Sequence, residues 1–236
     1  MKIKIFTIPN LLTCSHLFCG CVGVVAVYHS DLKIAAWMIF LAGVFDFLDG
    51  FVARLLKSAS ALGQQLDSLA DMVTFGLLPG CIISYYLTVA VPTIEEIWIS
   101  YLAFIITIFS ALRLAKFNID TRQSDSFIGL PTPANAMVVA SFPLIIDAYP
   151  SMNGIIINTT HLLLYVGIFS FLLIAEIPLI ALKFKDFSWK NNSYKYVLIL
   201  VSLLLFSFFS VLSIPIIVLF YISLSLLYKF TNQNKI

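Results

Sequence analysis

Charge is scarce in this chain. Asp, Glu, Lys and Arg make up 11% of its 236 residues, less than half the roughly 25% of a soluble domain. The net charge of +2 is too small to serve a nucleic acid, and no basic block or aromatic–basic interleaving of the kind single-strand binders use is present. Cysteine is sparse too. Cys14, Cys19, Cys21 and Cys81 all lie in apolar runs without paired spacing, so they read as small hydrophobes and not as zinc ligands or disulfide partners. The three histidines (His16, His29 and His161) are scattered, and a histidine metal site is not expected. There is no internal repeat and no stretch that reads as a soluble domain.

What the chain has is apolar length. Its residues are 61% hydrophobic and its mean hydropathy is +1.01, so the bilayer is its solvent. Lysines followed by an apolar run at the N-terminus outline a signal peptide, but the run continues to Tyr28 without a small-x-small cleavage site and reads as a retained first membrane helix. Spans need about 20 apolar residues. Eight candidates follow, at about 10–29, 33–56, 64–90, 97–117, 131–149, 160–182, 196–212 and 215–230, with Pro215 breaking the last two apart. The expected fold is all-α, a polytopic transmembrane bundle of about eight helices, in one integral membrane catalytic domain over 1–236: a six-helix core at about 8–182 and a C-terminal pair at about 196–230.

Bases orient these spans. Lys2 and Lys4 precede the first helix, Arg54 and Lys57 close the second, and Arg113, Lys116 and Arg122 follow the fourth. Lys183, Lys185, Lys190 and Lys195 follow the sixth, and Lys229 and Lys235 follow the eighth. The alternate loops hold only Lys33 as a base, beside Asp31, Glu95, Glu96 and Asp147. Both termini are therefore expected on the cytoplasmic side, in the inner membrane of a prokaryote.

Against this background one hairpin stands out. Asp46 and Asp49 are three residues apart in the second helix, and Asp67 and Asp71 are four apart in the third, so each pair shares a helix face. At 1.5 Å per residue, Asp49 lies about 12 Å from Lys57 and Asp71 about 12 Å from Gly63, which brings the pairs to similar depth. Facing carboxylates there repel, and a divalent cation is the simplest partner; oxygen ligands suit Mg²⁺, Mn²⁺ or Ca²⁺. Gly50 and Ala53, on the Asp46 face, permit close approach of another group or another helix. Arg54 offers a planar fork for phosphate oxygens or an interfacial anchor. Gly63 opens the third helix, whose free N–H groups favour an anion. The site reads as metals plus phosphate. A divalent-cation transporter would use the same acids, but would not need Gly50, Ala53 and Arg54 in register with them, and would tend to repeat the pattern in both halves.

The pattern Asp46-x2-Asp49-Gly50-x2-Ala53-Arg54-x8-Gly63-x3-Asp67-x3-Asp71 resembles the signature of the CDP-alcohol phosphotransferases, with every position and gap intact. The resemblance implies that Asp46, Asp49, Asp67 and Asp71 hold a pair of divalent ions, Mg²⁺ or Mn²⁺, on the diphosphate of a CDP-linked substrate. It implies that Asp71 deprotonates the acceptor hydroxyl, and that Gly50, Ala53, Arg54 and Gly63 surround the CDP moiety with Asp67 sharing nucleotide contacts. Ser58, in the linker, supplies a hydroxyl outside the motif.

Arg113 to Ala136, and above all its "GLPTPANA" portion, looks like the segment of the bacterial and archaeal phosphatidylserine synthases of this family. That likeness implies CDP-diacylglycerol as donor and L-serine as acceptor, giving phosphatidylserine and CMP; a homodimer among membrane lipids is also implied. Candidate acceptor or lipid-phosphate contacts are Asn10 (alternatively a helix cap), Arg113, Lys116, Pro131, Thr132 and Asn135. Arg113 and Lys116 are equally suited to anchor the helix end. Glu176, beside Pro178 in the sixth helix, is placed to meet an amine or another helix. A sister enzyme for glycerol 3-phosphate or inositol phosphate needs a further phosphate pocket, for which Arg113, Lys116 and Arg122 are the candidates.

Overall fold

The structure is a computed structural model and describes residues 5–91, 93–120, 126–180 and 188–233. Lys2, Lys4, Arg122, Lys183, Lys185 and Lys235, used above for orientation or as an acceptor contact, lie outside the described residues, as does the side chain of Lys190. Among the described residues ten α-helices follow one another: α1 Ile8–Tyr28, α2 Leu32–Leu55, α3 Ala61–Asp71, α4 Leu78–Ala90, α5 Phe104–Ile119, α6 Thr132–Ala148, α7 Asn153–Ile156, α8 Thr159–Ile174, α9 Trp189–Phe209 and α10 Ser213–Gln233. A π-helical turn, Met72–Leu77, joins α3 to α4, and a 3-10 segment, Ile94–Ala103, leads into α5.

Among the described residues five segments are long and apolar enough to cross a membrane: Ile8–Tyr28, Leu32–Leu55, Ala61–Ala90, Ile94–Ile119 and Asn192–Lys229. The bent pair Pro150–Ile156 and Thr159–Ile174 makes a sixth, and Thr132–Ala148 is a shorter apolar helix. At 38 residues the Asn192–Lys229 stretch would be about 57 Å long if straight, nearly twice a hydrocarbon core. It folds back instead: Tyr194 and Tyr228 meet edge to face with ring centroids 4.8 Å apart, and Leu198 packs with Leu224. The chain is a multi-pass membrane protein. The fold-back occurs at Ser210, whose φ is +47°. Pro215 sits in the first turn of α10, where its missing N–H costs nothing, and so does not itself make the break expected of it.

The core runs through α1, α2, α4 and α6. On α1 the buried stripe is Pro9, Thr13, His16, Gly20, Gly23 and Val27, a helical spacing. Small residues there let the neighbouring helix close in. A Cβ at Gly20 would collide with Thr74, and one at Gly23 with Leu78. On α2 the buried face is Ala35, Ala36, Ile39 and Ala42, and Asp46 and Asp49 continue it. Side chains such as Phe18, Phe47, Leu203 and Phe208 stay exposed, as lipid-facing residues do. All four cysteines are free.

Two local features depart from the expected helices. The sixth span ends at Ile174, not at 182, and Glu176 lies outside it. Ala175 turns extended (ψ 139°), and Pro178 just beyond has no N–H to offer the Ile174 carbonyl, so the helix could not run on through it. Pro178–Ile180 instead forms β2, paired antiparallel with β1, Ser126–Ile128. Gly129 follows with φ +78°, its N–H donating to the Ile177 carbonyl at 2.9 Å. A Cβ there would stand 2.5 Å from the Leu173 carbonyl oxygen. Gly129→Ala should therefore lower stability by more than about 1 kcal/mol, read as a fall in melting temperature of the detergent-solubilised protein.

Candidate active site

The linker between α2 and α3 is set by its hydrogen bonds. Lys57 takes a left-handed conformation (φ +49°); the Ser58 N–H bonds the Ala53 carbonyl at 3.0 Å and the Lys57 N–H bonds the Arg54 carbonyl at 3.2 Å, a Schellman ending. Ser60 Oγ then caps α3 by accepting from the Gly63 N–H at 3.0 Å. The α3 helix thus starts at Ala61 rather than at Gly63, and the Gly63 N–H is engaged rather than free for an anion. What Gly63 supplies is room: a Cβ would lie 3.2 Å from Asn10 Oδ1. Asn10 is not the cap of α1, since Thr7 is (Oγ1 accepting from the Asn10 N–H at 3.3 Å). The Asn10 amide donates to the Ile5 carbonyl at 2.8 Å.

A cleft of about 480 Å³ opens between α1, α2 and the start of α3, lined among others by Pro9, Asn10, Thr13, Asp49, Gly50, Ala53, Arg54, Ser58, Gly63 and Asp67. It brings together the Gly50, Ala53, Arg54, Ser58 and Gly63 positions singled out in the sequence. Ser58 Oγ is buried there without a hydrogen-bond partner.

Beside the cleft stand the acids. Asp46, Asp67 and Asp71 each offer an oxygen, and His16 a ring nitrogen, all within 4.8 Å of one another. Asp49 stands outside that group: its Oδ2 accepts from the Thr13 hydroxyl at 2.6 Å. Directly after Asp71 the π turn begins, with the Leu78 N–H bonding the Val73 carbonyl five residues back. Pro79 follows, and in a regular α-helix its ring would clash with the carbonyl four residues back; the wider turn accommodates it. The turn is tied to its neighbours: Thr107 donates to the Gly76 carbonyl at 3.0 Å, and Thr74 to the His16 carbonyl at 3.4 Å.

Deeper lies a second polar layer. Arg113 is buried on α5, its Nη1 donating to Thr132 Oγ1 at 3.4 Å, and it interacts electrostatically with Asp71. Asn135 is fully buried; its Oδ1 accepts from the Tyr165 hydroxyl at 2.8 Å while its Nδ2 has no partner. Pro131 is the N-cap residue of α6, and Thr132 its first residue. Lys116 turns elsewhere, pairing with Glu176 at 3.2 Å, so it does not join Arg113 in this layer, and Glu176 meets that lysine across the chain.

The family model for CDP-alcohol phosphatidyltransferases matches residues 6–181. The chain belongs to this family. It is also similar to a CDP-diacylglycerol–serine O-phosphatidyltransferase of Helicobacter pylori, 35% identical over 202 residues, 84% of this chain and 81% of that one. A Bacillus subtilis protein of the same description is 37% identical over 137 residues, 57% of this chain and 75% of its own. An archaetidylserine synthase of Methanothermobacter thermautotrophicus is 32% identical over 147 residues, 61% of this chain and 60% of its own.

The family uses divalent metal ions, and the residues present fit one. Asp67 Oδ1, Asp71 Oδ1 and both ring nitrogens of His16 are buried without hydrogen-bond partners, a costly arrangement that a cation relieves. Sequence reasoning set His16 aside as one of three scattered histidines, whereas the structure brings it to the aspartate cluster; its place on the α1 stripe with Thr13 and Gly20 was the available signal. Thr13 and the π turn were also missed. Thr13→Val should leave the fold intact and weaken Mn²⁺ binding about 10- to 100-fold, as loss of a group that orients a ligand does, measured by titration calorimetry on the purified protein.

Proposed function

We propose that the protein transfers the phosphatidyl group of CDP-diacylglycerol to L-serine, releasing CMP and forming phosphatidylserine. The observation that carries this is the cleft lined by Gly50, Ala53, Arg54 and Gly63 beside the Asp46, Asp67 and Asp71 cluster, in a chain similar over about four-fifths of its length to a serine O-phosphatidyltransferase. Divalent ions, Mg²⁺ or Mn²⁺, held by Asp46, Asp67, Asp71 and Asp49 would neutralise charge on the diphosphate and the departing CMP.

The protein's own residues do the rest. Arg54, at the mouth of the cleft, offers its guanidinium to phosphate oxygens, and Ser58 Oγ is a spare donor beside it. Gly50 and Ala53 leave the α2 backbone low enough for the CDP moiety to lie against it. Arg113, which interacts electrostatically with Asp71, its partner Thr132 and Asn135 on the same helix as Thr132 would receive the acceptor, with Arg113 facing the serine carboxylate. Asp71 then takes the serine hydroxyl proton as the oxygen attacks the phosphoryl group carrying diacylglycerol. Of the bases considered for an acceptor phosphate, Lys116 is held by Glu176, which favours serine over glycerol 3-phosphate or inositol phosphate. We further propose that both termini face the cytoplasm of a prokaryotic inner membrane, from the distribution of bases, and that the protein works as a homodimer through its small-residue helix faces.

The test is CMP release by the purified protein in detergent with CDP-diacylglycerol and Mn²⁺, comparing serine, glycerol 3-phosphate, inositol phosphate and no acceptor. Serine-dependent release is expected, falling about 10²- to 10⁴-fold in Asp71→Asn. Release with glycerol 3-phosphate alone would overturn the acceptor, and no release from a cooperatively unfolding protein would overturn the reaction. In a second measurement, CMP at about 100 times its dissociation constant with Mn²⁺ should stabilise the fold by about 2.7 kcal/mol, and Asp49→Ala should abolish the response. A cation carrier has no reason to answer to CMP.

A further inference from the structure

We propose that His16 is a nitrogen ligand of the divalent-cation site, completing with Asp46, Asp67 and Asp71 a mixed imidazole–carboxylate set that favours Mn²⁺ over Mg²⁺. This rests on the reading of those aspartates as cation ligands, and it adds a residue that lies outside the eight-residue motif and on a different helix.

His16 sits in the middle of α1, fully buried, and neither ring nitrogen has a hydrogen-bond partner. Its Nε2 is 4.0 Å from Asp71 Oδ1. That is too long for a hydrogen bond, but it suits two ligands of one ion: atoms each about 2.1 Å from a shared octahedral cation lie about 3.0–4.2 Å apart. The group formed with Asp46 and Asp67, all within 4.8 Å, is only slightly wider than such a shell.

A plain core histidine is the competing account. A neutral imidazole carries one donor and one acceptor, and each left unpaired in a buried site costs about 1–3 kcal/mol. A core position tolerating that cost with three carboxylates beside it is better explained by a ligand. The ring is also held in place. Phe75 packs on it with centroids 5.0 Å apart at 40°, and Thr74 bonds the His16 carbonyl. Both come from the π turn that follows Asp71. The turn that places one carboxylate ligand therefore also positions the imidazole.

The chemical consequence is selectivity. Mg²⁺ is a hard ion that takes oxygen ligands in near-ideal octahedra, so an imidazole adds little for it. First-row transition ions accept nitrogen more readily. Replacing His16 by an oxygen donor should lower the Mn²⁺-to-Mg²⁺ affinity ratio about tenfold, the low end of what altering a metal-site residue costs.

The deciding measurement is pulsed electron paramagnetic resonance of bound Mn²⁺ in nucleotide-free protein whose histidines carry ¹⁵N in the imidazole. A ¹⁵N coupling to Mn²⁺ is expected, absent in His16→Asn and His16→Gln, together with the fall in the affinity ratio measured by Mg²⁺ competition. Bound Mn²⁺ without ¹⁵N coupling in the labelled native protein overturns the role of His16 and leaves the aspartate site standing. Absence of Mn²⁺ binding overturns both. The native-protein spectrum decides the matter even if neither variant folds.

Discussion

Carboxylates held within 4.8 Å of one another inside a helix bundle repel by roughly 4 kcal/mol per ionised pair at an effective dielectric of about 20. Folded domains are stable by only about 5–15 kcal/mol. Asp46, Asp67 and Asp71 therefore set the terms for everything around them. The two helices that carry them must be fixed against being pushed apart, and the positive charge that offsets them must have a route in. The first need is met by the tight linker, with its Schellman ending at Lys57 and its Ser60 cap. The second is met by the cleft, in whose wall Asp49 and Asp67 stand.

The π turn after Asp71 is the second constraint, and it has a cause in the sequence. Pro79 cannot continue an ordinary helical ladder, so the chain widens over Met72–Leu77. The widened turn reaches three neighbours at once: α1 through Thr74 and His16, α5 through Gly76 and Thr107, and the packed core through the fully buried Phe75. Asn118 on α5 adds a bond of 2.9 Å to Ser68 on α3. π turns recur at functional sites; here the turn sets the rotational phase between a helix half that carries acids and one whose buried face joins the core.

The C-terminal hairpin lies outside the family match, which ends at residue 181, yet it is joined to the site. Tyr221 of α10 donates to the Ile180 carbonyl at 3.0 Å, and Ser225 accepts from the Ile180 N–H at 3.1 Å, so α10 pins β2. The short β ladder, through Gly129, leads straight into Thr132 and Asn135 on α6. The last helix thus braces the ladder that leads into α6.

By itself the sequence determined the bilayer as solvent, the approximate positions of the apolar spans, and the placing of four aspartates on one hairpin, because hydropathy and helical period are local properties of the chain; that Asp46, Asp67 and Asp71 cluster while Asp49 turns to Thr13 was decided by packing. It also carried the cleft residues from Gly50 to Gly63, since these belong to one contiguous hairpin. Contacts between distant segments were not legible. Nothing in the spacing of Thr13 and His16 says that α1 will pack against the aspartate face; that follows from Gly20 and Gly23 letting Thr74 and Leu78 close in. Lys116 looked like a companion of Arg113 from their separation of three, but Glu176, sixty residues on, captures it. The β ladder and the early end of the sixth span arise where a proline and a partner strand meet. Periodicity placed each residue on a face, and only tertiary packing decided which faces meet, because the energy that chooses between them resides in contacts between segments far apart in the chain.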